Sequence, residues 1–399
     1  MPKIERQKVK FGDVVKLNTD RCADPLGEGI ERYVGLEHIE PEDLRIRRWG
    51  LVAEGTNFTN RFKLGQVLFG KRRAYQRKVA VADFEGVCSG DIYVFEPKND
   101  RLLPELLPFL CQTEAFYQHA VGTSAGSLSP RTNWVQLADY EFALPPLEEQ
   151  WQIAELLYCS LETVAAAQSA SESLSSLRVS TINNLCENVD SGIVTLGTVC
   201  EMQNGRAFPG TEYENRGDVR LLRPGNLGSA GYISWGTDKI VFLPTRFLGE
   251  AADYVIKPGD IVINLTAQSL EDGFMGRVCL ARDGDLCLLN QRIGRLLFGS
   301  RDVHPEFIFR VLQTQRFQQH VISMCEGTKV KHLYWRHLER FDFRLPSFQK
   351  QQAIANSLML IDVALNGLND RWQQQQKLHI RLINEVVSNV LGAGYKKSG

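Results

Sequence analysis

The chain contains one segment twice, and this duplication constrains the fold more than any other feature. When the sequence is shifted by 201 positions, residues 104–157 align with residues 305–358 without a gap. Seventeen of the 54 aligned positions are identical, against about three expected by chance at average residue frequencies. A unit of about 190 residues used twice predicts pseudo-twofold or pseudo-translational symmetry within one chain. The identical pairs are Pro104/Pro305, Glu105/Glu306, Gln112/Gln313, Thr113/Thr314, Phe116/Phe317, Gln118/Gln319, His119/His320, Gly126/Gly327, Trp134/Trp335, Leu137/Leu338, Phe142/Phe343, Leu144/Leu345, Pro145/Pro346, Gln150/Gln351, Ile153/Ile354, Ala154/Ala355 and Leu157/Leu358.

The hydrophobic pattern changes within each copy. Over about 11–145 and 193–345, short runs rich in β-branched and aromatic residues alternate with Gly, Asn and Asp. This pattern predicts a mixed sheet with turns. Residues 104–121 and their copy 305–322 have apolar residues at helical spacing after a Pro-Glu pair, which predicts one amphipathic helix in each copy.

Two long helices follow the Leu-Pro pairs at 144–145 and 345–346. Apolar residues of the second helix alternate at spacings of four and three, which is the coiled-coil period, and the first helix has the matching register diluted with Ala and Ser. Each helix of about 40 residues would be roughly 60 Å long. Neither copy offers a second long helix, so we expect the two to pack against each other, antiparallel if the symmetry is twofold, with the globular parts at opposite ends. The predicted seam consists of Ile153, Leu157, Val164, Leu174, Ile354, Leu358, Ile361, Leu365, Leu368, Trp372, Leu382 and Val386.

These patterns together predict an α+β fold. Two similar mixed α/β domains are separated by a long antiparallel two-helix coiled coil and related by a pseudo-twofold internal repeat. The predicted boundaries are 1–145 for the first domain, 146–190 for the central helix, 191–345 for the second domain, 346–391 for the C-terminal helix and 392–399 for a tail.

Composition excludes several classes of protein. The 46 Lys and Arg residues balance 47 Asp and Glu residues, so any nucleic-acid binding must come from local patches. The nine cysteines form no CxxC pair, and no His cluster has zinc spacing, so we expect no metal site. The sequence has no run of about 18 apolar residues, so we expect a cytoplasmic protein with reduced thiols and no membrane contact. Phosphate-loop and zinc-protease motifs are absent, which predicts no catalytic residue.

The strongest basic cluster is KRRAYQRK at residues 71–78, which contains five cations and no Asp or Glu. Arg and Lys suit phosphate contacts, and Arg and Gln can also read base edges. A solvated turn between strands is the alternative interpretation. The predicted DNA-binding residues here are Lys71, Arg72, Arg73, Tyr75, Gln76, Arg77 and Lys78.

Weaker candidates lie at several other turns. The corresponding loop of the second copy, residues 264–274, is polar but not basic, and an ordinary connecting loop explains it equally well. Segments 126–134 and 327–335 occupy the same point of the repeat with different polar residues, which suggests one scaffold reading two targets. In these segments Trp134 and Trp335 are expected to be core anchors. His119 and His320, on the predicted amphipathic helices, are expected to pack or cap. The further DNA-binding candidates are Arg131, Asn133, Arg206, Arg223, Asn226, Asn264, Gln268, Lys329, Lys331 and His332.

The duplicated boundary motif is similar to that of a known family. Two variable regions, each ended by Leu-Pro and a Gln-x-x-Ile-Ala helix (LPPLEEQWQIAELL and LPSFQKQQAIANSL), resemble the DNA specificity subunit of a type I restriction-modification enzyme over essentially the whole chain. The stretch KRRAYQRKVAVADFEGVCSGDIYVFEP is also similar to first-half recognition domains of that family. The resemblance implies that each variable region is a target recognition domain reading one half of a bipartite asymmetric DNA site. It also implies that the helices space these domains and dock two methyltransferase subunits.

The same resemblance implies that the chain is not catalytic. Adenine-N6 methylation with S-adenosylmethionine and ATP- and Mg-dependent cleavage belong to partner subunits in that family, and a restriction/translocase subunit is a further possible partner. Two other hypotheses stay open from the residues alone. A scaffold that binds only proteins would leave DNA methylation sites unchanged when its domains are exchanged, and an unrecognised DNA-modifying enzyme would be active as the isolated chain.

Overall fold

The structure is a computed structural model and describes residues 7–236, 240–327 and 329–387. The chain divides into two compact units, Met1–Ser169 with Asn369–Gly399, and Ala170–Leu368. Each unit therefore contains a part of both long helices. The predicted tail at 392–399 and the predicted end of the C-terminal helix at 391 lie outside the described residues. The domain boundaries at 145, 190 and 345 stay predictions.

The first unit is built on two four-stranded sheets, with strand orders β2-β9-β6-β7 and β4-β3-β8-β5. Two strand pairs, β1-β12 and β10-β11, flank them. The strands are β1 (Gln7–Lys10), β2 (Val15–Leu17), β3 (Arg32–Val34), β4 (Gly50–Leu51), β5 (Asn60–Phe62), β6 (Val67–Gly70), β7 (Val79–Val81), β8 (Gly86–Cys88), β9 (Ile92–Pro97), β10 (Ser124–Ala125), β11 (Arg131–Thr132) and β12 (Glu141–Leu144). The helices are α1 (Phe11–Val14), α2 (Leu107–Gln112), α3 (Glu114–Gly122), α4 (Trp134–Ala138) and the first part of α5 (Leu147–Glu187).

The second unit has sheets of order β14-β22-β18-β20 and β16-β15-β21-β17, with the pairs β13-β24 and β19-β23. Its strands are β13 (Ile193–Thr195), β14 (Glu201–Asn204), β15 (Val219–Leu222), β16 (Phe242–Leu243), β17 (Val255–Ile256), β18 (Ile261–Asn264), β19 (Thr266–Ala267), β20 (Val278–Leu280), β21 (Cys287–Leu289), β22 (Ile293–Leu297), β23 (Lys331–His332) and β24 (Asp342–Arg344). Its helices are α6 (Leu196–Val199), α7 (Phe247–Glu250), α8 (Pro305–Val311), α9 (Gln315–Met324), α10 (Trp335–Leu338) and the first part of α11 (Phe348–Leu382).

The two units share one topology, which confirms the internal repeat and the α+β class. In each unit the first sheet is antiparallel, and the second contains one parallel pair, β3-β8 or β15-β21. The matching strands β6 and β18 are buried at every residue. Strands covered on both faces are apolar throughout, and this explains the LGQVLFG and KPGDIVINL runs without clean alternation.

The amphipathic helix predicted at 104–121 and 305–322 is broken in both units. Helix α2 ends before Thr113, and α3 begins immediately after it; Thr314 separates α8 from α9 in the same way. Both threonines have extended backbone, and their hydroxyls accept a hydrogen bond from the backbone N–H of Phe116 and Phe317, each at 3.3 Å. The prediction of one continuous helix was wrong because the duplicated threonine is an N-cap.

A cluster of aromatic side chains forms the core of the first unit. Phe11, Phe69, Phe95, Phe109 and Phe116 are fully buried. Helix α5 contributes Ile153, Leu157 and Leu161 to the same cluster, and the π-helical turn Ile383–Val387, which follows α11, contributes its first and last residues. Burying one such aliphatic side chain stabilises a fold by about 1.5–3 kcal/mol, so the long helices are part of this core.

The second unit uses the same plan. Phe307, Phe309 and Phe317 are fully buried, and Ile182 from α5 packs into the same cluster as Ile354 and Leu358 from α11. The predicted seam residues of both helices are all buried or half-buried.

The long helices run antiparallel within each unit. In the second unit Arg178 contacts Asp362, whereas the later residues of α5 line a surface with Ser347 and Lys350 at the start of α11. In the first unit Ser160 contacts His379, and the later Gln168 shares a cavity with the earlier Trp372. The antiparallel pairing predicted from the heptads is therefore confirmed.

Several duplicated polar residues hold these helices to the sheets. The amide of Gln150, at the start of α5, accepts from the Leu103 backbone N–H at 2.8 Å and donates to the carbonyls of Arg101 at 2.7 Å and Pro145 at 2.8 Å. Gln351 makes the equivalent bonds to His304, Asp302 and Pro346. The Gln-x-x-Ile-Ala motif is therefore the joint that fixes each long helix to its unit.

His119 and His320 also repeat their contacts. Each Nε2 atom lies 2.8 Å from a backbone carbonyl, that of Gln136 or His337, and each ring packs on Tyr140 or Phe341. The predicted packing role is confirmed.

Candidate nucleic-acid interface

Two of the predicted segments of the first unit meet in space. The loop that follows β6 pairs with the segment that leads into β11 through an isolated bridge between Arg72 and Arg131. The Arg73 N–H donates to the Pro130 carbonyl at 2.8 Å, and the Thr132 N–H donates to the Lys71 carbonyl at 2.9 Å. We call residues 71–78 and 129–133 the first paired-loop surface.

The second unit repeats this pairing. Strand β19, just after β18, pairs with β23, so that Thr266 lies opposite His332 and Ala267 opposite Lys331. The Leu333 N–H donates to the Leu265 carbonyl at 2.9 Å, at the position equivalent to the bond of Thr132. We call residues 265–270 and 329–336 the second paired-loop surface. Each surface joins two segments that are separate DNA-binding candidates in the sequence analysis.

The basic cluster of the first surface is more neutral than its sequence predicts. Asp91 lies between Arg72 and Arg131, at 3.3 Å and 2.8 Å. Burial opposes ionisation of Asp91, but the hydrogen bonds and charges of Arg131 and Arg72 outweigh it and hold its pKa below the usual value. The cluster itself contains no acid, but Asp91 from the turn before β9 neutralises part of its charge.

The remaining cations of the loop also have internal partners. Arg77 forms ion pairs with Glu114 and, at 3.7 Å, with Glu42. The Lys78 ammonium donates to the Leu36 carbonyl at 2.7 Å. Lys71 lies over the Tyr93 ring at 4.6 Å, and partial burial lowers its pKa. These contacts fix the directions of the side chains before any ligand binds.

The backbone of this loop presents Tyr75 to solvent. Arg73 and Arg77 have φ values of 55° and 56°, in the left-handed region, and they flank the 3-10 turn Ala74–Gln76. Ala74 is buried beneath the turn, and Tyr75 is 54% exposed. A non-glycine residue in this region costs of order 1 kcal/mol or more, and the paired segments hold it there.

The second surface has a different character. Lys329, His332 and Gln268 are exposed, and Lys331 is half-buried. Asn264 is fully buried, and its amide donates to the carbonyls of Thr266 at 2.9 Å and Phe274 at 2.8 Å. A base-reading role for Asn264 does not agree with this geometry, because its hydrogen bonds already hold the turn.

The other candidates of the second unit have contacts elsewhere. Arg206 donates to the Glu250 carbonyl at 3.0 Å, and the exposed Arg223 begins a 3-10 turn. Asn226, which closes that turn, is 3% exposed and accepts from the Arg223 N–H at 3.0 Å. Its burial contradicts a ligand-binding role, since the side chain is a structural cap. In the first unit Asn133 caps α4 through the Val135 N–H but stays exposed.

Sequence reasoning missed two residues of the second surface, Tyr334 and Arg336. Tyr334 is 43% exposed, next to the anchor Trp335, and Arg336 lies 4.6 Å over its ring. The usable signal is alternation, because residues 332, 334 and 336 face solvent, as do their equivalents 131, 133 and 135.

The described residues form neither a metal site nor a membrane span. Over 7–236, 240–327 and 329–387, no group of three or more His, Cys, Asp and Glu side chains is placed to hold a metal ion. None of the helices in those ranges is both long and apolar enough to cross a membrane. All nine cysteines are free thiols.

The comparisons with known sequences agree on one family. The profile of the type I restriction modification DNA specificity domain matches residues 4–164 and 188–375. The specificity subunit of the type I restriction enzyme MjaVIII from Methanocaldococcus jannaschii is 25% identical over 394 residues, covering 93% of this chain and 84% of the relative. The specificity subunit of the type I restriction enzyme EcoDI from Escherichia coli is 28% identical over 161 residues, which is 39% of this chain and 35% of the relative.

Solved structures share the fold. A chain from a study of complex assembly and conformational transition of the type I R-M system superposes with a TM-score of 0.60 at 18% identity, covering 96% of this chain and 98% of that chain. The type I restriction-modification S subunit from M. genitalium gives a TM-score of 0.58 at 13% identity and covers 97% of both chains. The duplicated topology is therefore that of known proteins.

Proposed function

Because this chain belongs to the type I restriction-modification DNA specificity family, we propose that each unit reads one half of a bipartite, asymmetric DNA site through its paired-loop surface. The chain is a non-catalytic subunit that recognises DNA sequence. The catalytic activities of the system, with their cofactors S-adenosylmethionine, ATP and Mg, belong to other subunits.

One observation is the main support for placing DNA recognition on these two surfaces. The same bridge joins the same two points of the repeat in both units, yet the side chains around it differ: Arg72 and Arg131 in one, and Thr266 and His332 in the other. A constant backbone with variable donors suits two different base sequences. Asn264 and Asn226 are not part of the proposed interface, because both are buried.

The charges on the first paired-loop surface favour directional contacts over general phosphate affinity. Asp91 balances one of the two charges of Arg72 and Arg131, so the pair contributes less to phosphate affinity than two free cations. The acid fixes the guanidinium planes, which suits directional contacts to a base or a phosphate. Tyr75 and Gln76 lie at the tip of the same loop.

We also propose that the long helices dock two methyltransferase subunits, one for each copy of the repeat. Leu177 and Leu378 occupy equivalent positions and are 55% and 62% exposed. Leu147 and Phe348 form a second equivalent pair, 49% and 38% exposed. Exposed large apolar side chains that recur at equivalent points of both long helices are typical of protein interfaces. A restriction subunit as a further partner and a cytoplasmic location are part of the same proposal.

Methylation mapping tests the assignment. The chain is co-expressed with its methyltransferase subunit, and methylated adenines are located across the host genome. Residues 71–78 and 129–133 are then replaced by the corresponding segments of a relative with another target. We expect one half of the bipartite motif to change and the other half to persist. If the complex still methylates DNA at an unchanged motif, the paired loops are not part of the interface. If the wild-type complex methylates DNA without any bipartite motif, the proposal that the two units read two half-sites is refuted.

A further inference from the structure

We propose that Tyr334 contacts a base of the half-site read by the second unit, and that Arg336 and Glu326 position it. This inference rests on the proposed function and assigns a specificity-determining residue to it. The three residues lie outside the polar set that the sequence singles out. The basis of the inference is the arrangement of Tyr334 and Arg336 on the second paired-loop surface, with Glu326 beside it.

Three side chains with π-faces form a stack on this surface. The rings of His332 and Tyr334 lie 6.2 Å apart and 16° from parallel. The Arg336 guanidinium lies 4.6 Å from the centre of the Tyr334 ring. Tyr334 is the middle member, so both neighbours limit its rotation. An aromatic side chain held in this way binds with a small loss of conformational entropy.

The outer face of this stack is held by an ion pair. Two bonds join the Arg336 Nη2 atom to the Glu326 carboxylate oxygens, at 3.0 and 3.1 Å. The hydrogen bond and charge of Arg336 outweigh burial and lower the pKa of Glu326. Because Glu326 takes up the charge of Arg336, this arginine adds little phosphate affinity and instead orients the tyrosine.

The backbone below Tyr334 is equally fixed. His332 exchanges two backbone hydrogen bonds with Glu326, at 2.7 and 3.0 Å. On its other side His332 pairs with Thr266 in β19. The Tyr334 residue itself begins α10 through its backbone, so its side chain has no role in starting that helix. The ring also meets the buried His337 edge-on at 5.6 Å, so the thermal midpoint of each ring variant is measured beside its methylation.

The repeat places a different residue at the same point of the first unit. Residues 131, 133 and 135 are Arg, Asn and Val where the second unit has His, Tyr and Arg. Asn133 is exposed at the position of Tyr334. The Asn133 oxygen accepts from the Val135 N–H, so its amide NH2 is the group it offers to a base, whereas a Tyr ring packs on apolar base atoms and its hydroxyl donates or accepts one hydrogen bond. We therefore expect Tyr334 to pack on the apolar group of a base edge and to bond one polar atom beside it, and the methyl and O4 of thymine form such an edge.

Methylation by the assembled complex of this chain and its methyltransferase tests the inference. Rates are measured on duplexes that carry each single substitution in either half-site. For Tyr334→Ala we expect discrimination to fall about 5- to 100-fold at one or two base pairs of one half-site. Tyr334→Phe should keep the apolar part of that preference. Arg336→Gln should lower discrimination at the same base pairs and leave the thermal midpoint within about a degree of wild type.

Tyr213→Ala serves as the matched control, because Tyr213 is also exposed in this unit, at 38%, but lies outside the paired loops. The inference is overturned if Tyr334→Ala keeps wild-type discrimination at every base pair, or if it slows methylation equally on all duplexes. Failure of the proposed function has a different signature, in which the wild-type complex itself shows no preference at one of the two half-sites.

Discussion

Removing the buried carboxylate of Asp362 should destabilise the second unit strongly. Asp362 is 4% exposed and bonds the Tyr232 hydroxyl at 2.6 Å and the Arg310 Nη1 atom at 2.6 Å, and Arg178 donates to its other oxygen. Arg310 and Arg178 are 1% and 8% exposed. In Asp362→Ala both cations stay buried without a counter-charge, and breaking a buried pair costs about 3–5 kcal/mol.

The hydrogen bonds that Arg178 and Arg310 keep in Asp362→Ala limit how much stability is lost. Arg178 keeps bonds to Gln313 at 3.0 Å and to the Ala230 carbonyl at 3.3 Å, whereas Arg310 keeps only longer contacts, to Gln313 at 3.5 Å and to Tyr232 at 3.4 Å. Because neither arginine can move into water, we expect the loss to lie within the 3–5 kcal/mol range rather than near zero.

The first unit supplies the matched control. The positions equivalent to Arg178, Asp362 and Arg310 hold His379, Leu161 and Phe109 there, all buried, with the rings of Phe109 and His379 6.3 Å apart. A triple variant carrying these residues in the second unit removes all three charges together. The Leu and Phe are apolar, and burial lowers the pKa of His379 in the first unit, which favours its neutral form. Replacing a buried ionic cluster by packed uncharged groups is often neutral, so we expect a loss of less than about 1.5 kcal/mol.

Native-state hydrogen exchange measures each unit separately. Peptides from 178–187 and 354–365 report opening of the second unit, and peptides from 147–160 report the first. We expect protection in the second unit to fall by two to three and a half powers of ten in Asp362→Ala, about 3–5 kcal/mol at 1.4 kcal/mol per tenfold. A loss below about 1 kcal/mol, or a triple variant less stable than the single one, would refute the reasoning.

The buried ion pairs of Asp362 with Arg178 and Arg310 also predict that the stability of the second unit depends on pH. Burial opposes ionisation of Asp362, but Arg178 and Arg310 outweigh it and keep its pKa below the usual value. A carboxyl with a lowered folded-state pKa contributes stability above its unfolded pKa of about 3.9, and this contribution is lost as the pH falls through the folded pKa. Wild type should therefore lose second-unit protection more steeply below about pH 4 than the triple variant does. Equal slopes would contradict the assignment.

Three further changes test the joint, the basic loop and the seam. Gln351→Ala should cost about 1–3 kcal/mol, because it removes three hydrogen bonds, to the buried Pro346 carbonyl, the Asp302 carbonyl and the His304 N–H; urea denaturation measures this, and Gln352→Ala on the exposed side of the same turn is the control. Arg72→Ala with Arg73→Ala should weaken DNA binding by the assembled methyltransferase, and unchanged affinity at matched salt would remove these residues from the interface. Replacing Leu365, which is 8% exposed, and the half-buried Leu368 with Asp should separate the helices, as judged by lost helicity or lost complex assembly; a fully assembled variant would contradict the seam.

The seam also shows where residue type misleads, although the heptad period is right. Arg178 lies three heptads after Leu157, at a position where an apolar residue is expected, and it is buried. A charged residue in a long helix normally predicts a solvent-facing position. Asp362 reverses that preference, but it is 184 residues away along the chain. Only the packed structure brings the two charges together.

What the sequence alone determined is local or repeated. The duplication, the Leu-Pro boundaries, the start of α5 and α11 after them and the heptad of α11 all depend on residues within a few turns of each other, so composition and spacing suffice to predict them. The duplicated Gln150 and Gln351 are visible in the same way, although their role as joints is not.

Tertiary structure decided which candidates face solvent and which segments meet. Asn264 and Asn226 have the residue type of a base reader, yet both are buried, because their amides satisfy backbone groups of their own turns. Asp91 forms ion pairs with two arginines that lie 19 and 40 positions away. A hydrogen bond or an ion pair forms between groups that are close in space, and no local pattern records closeness between segments that only the folded sheets bring together.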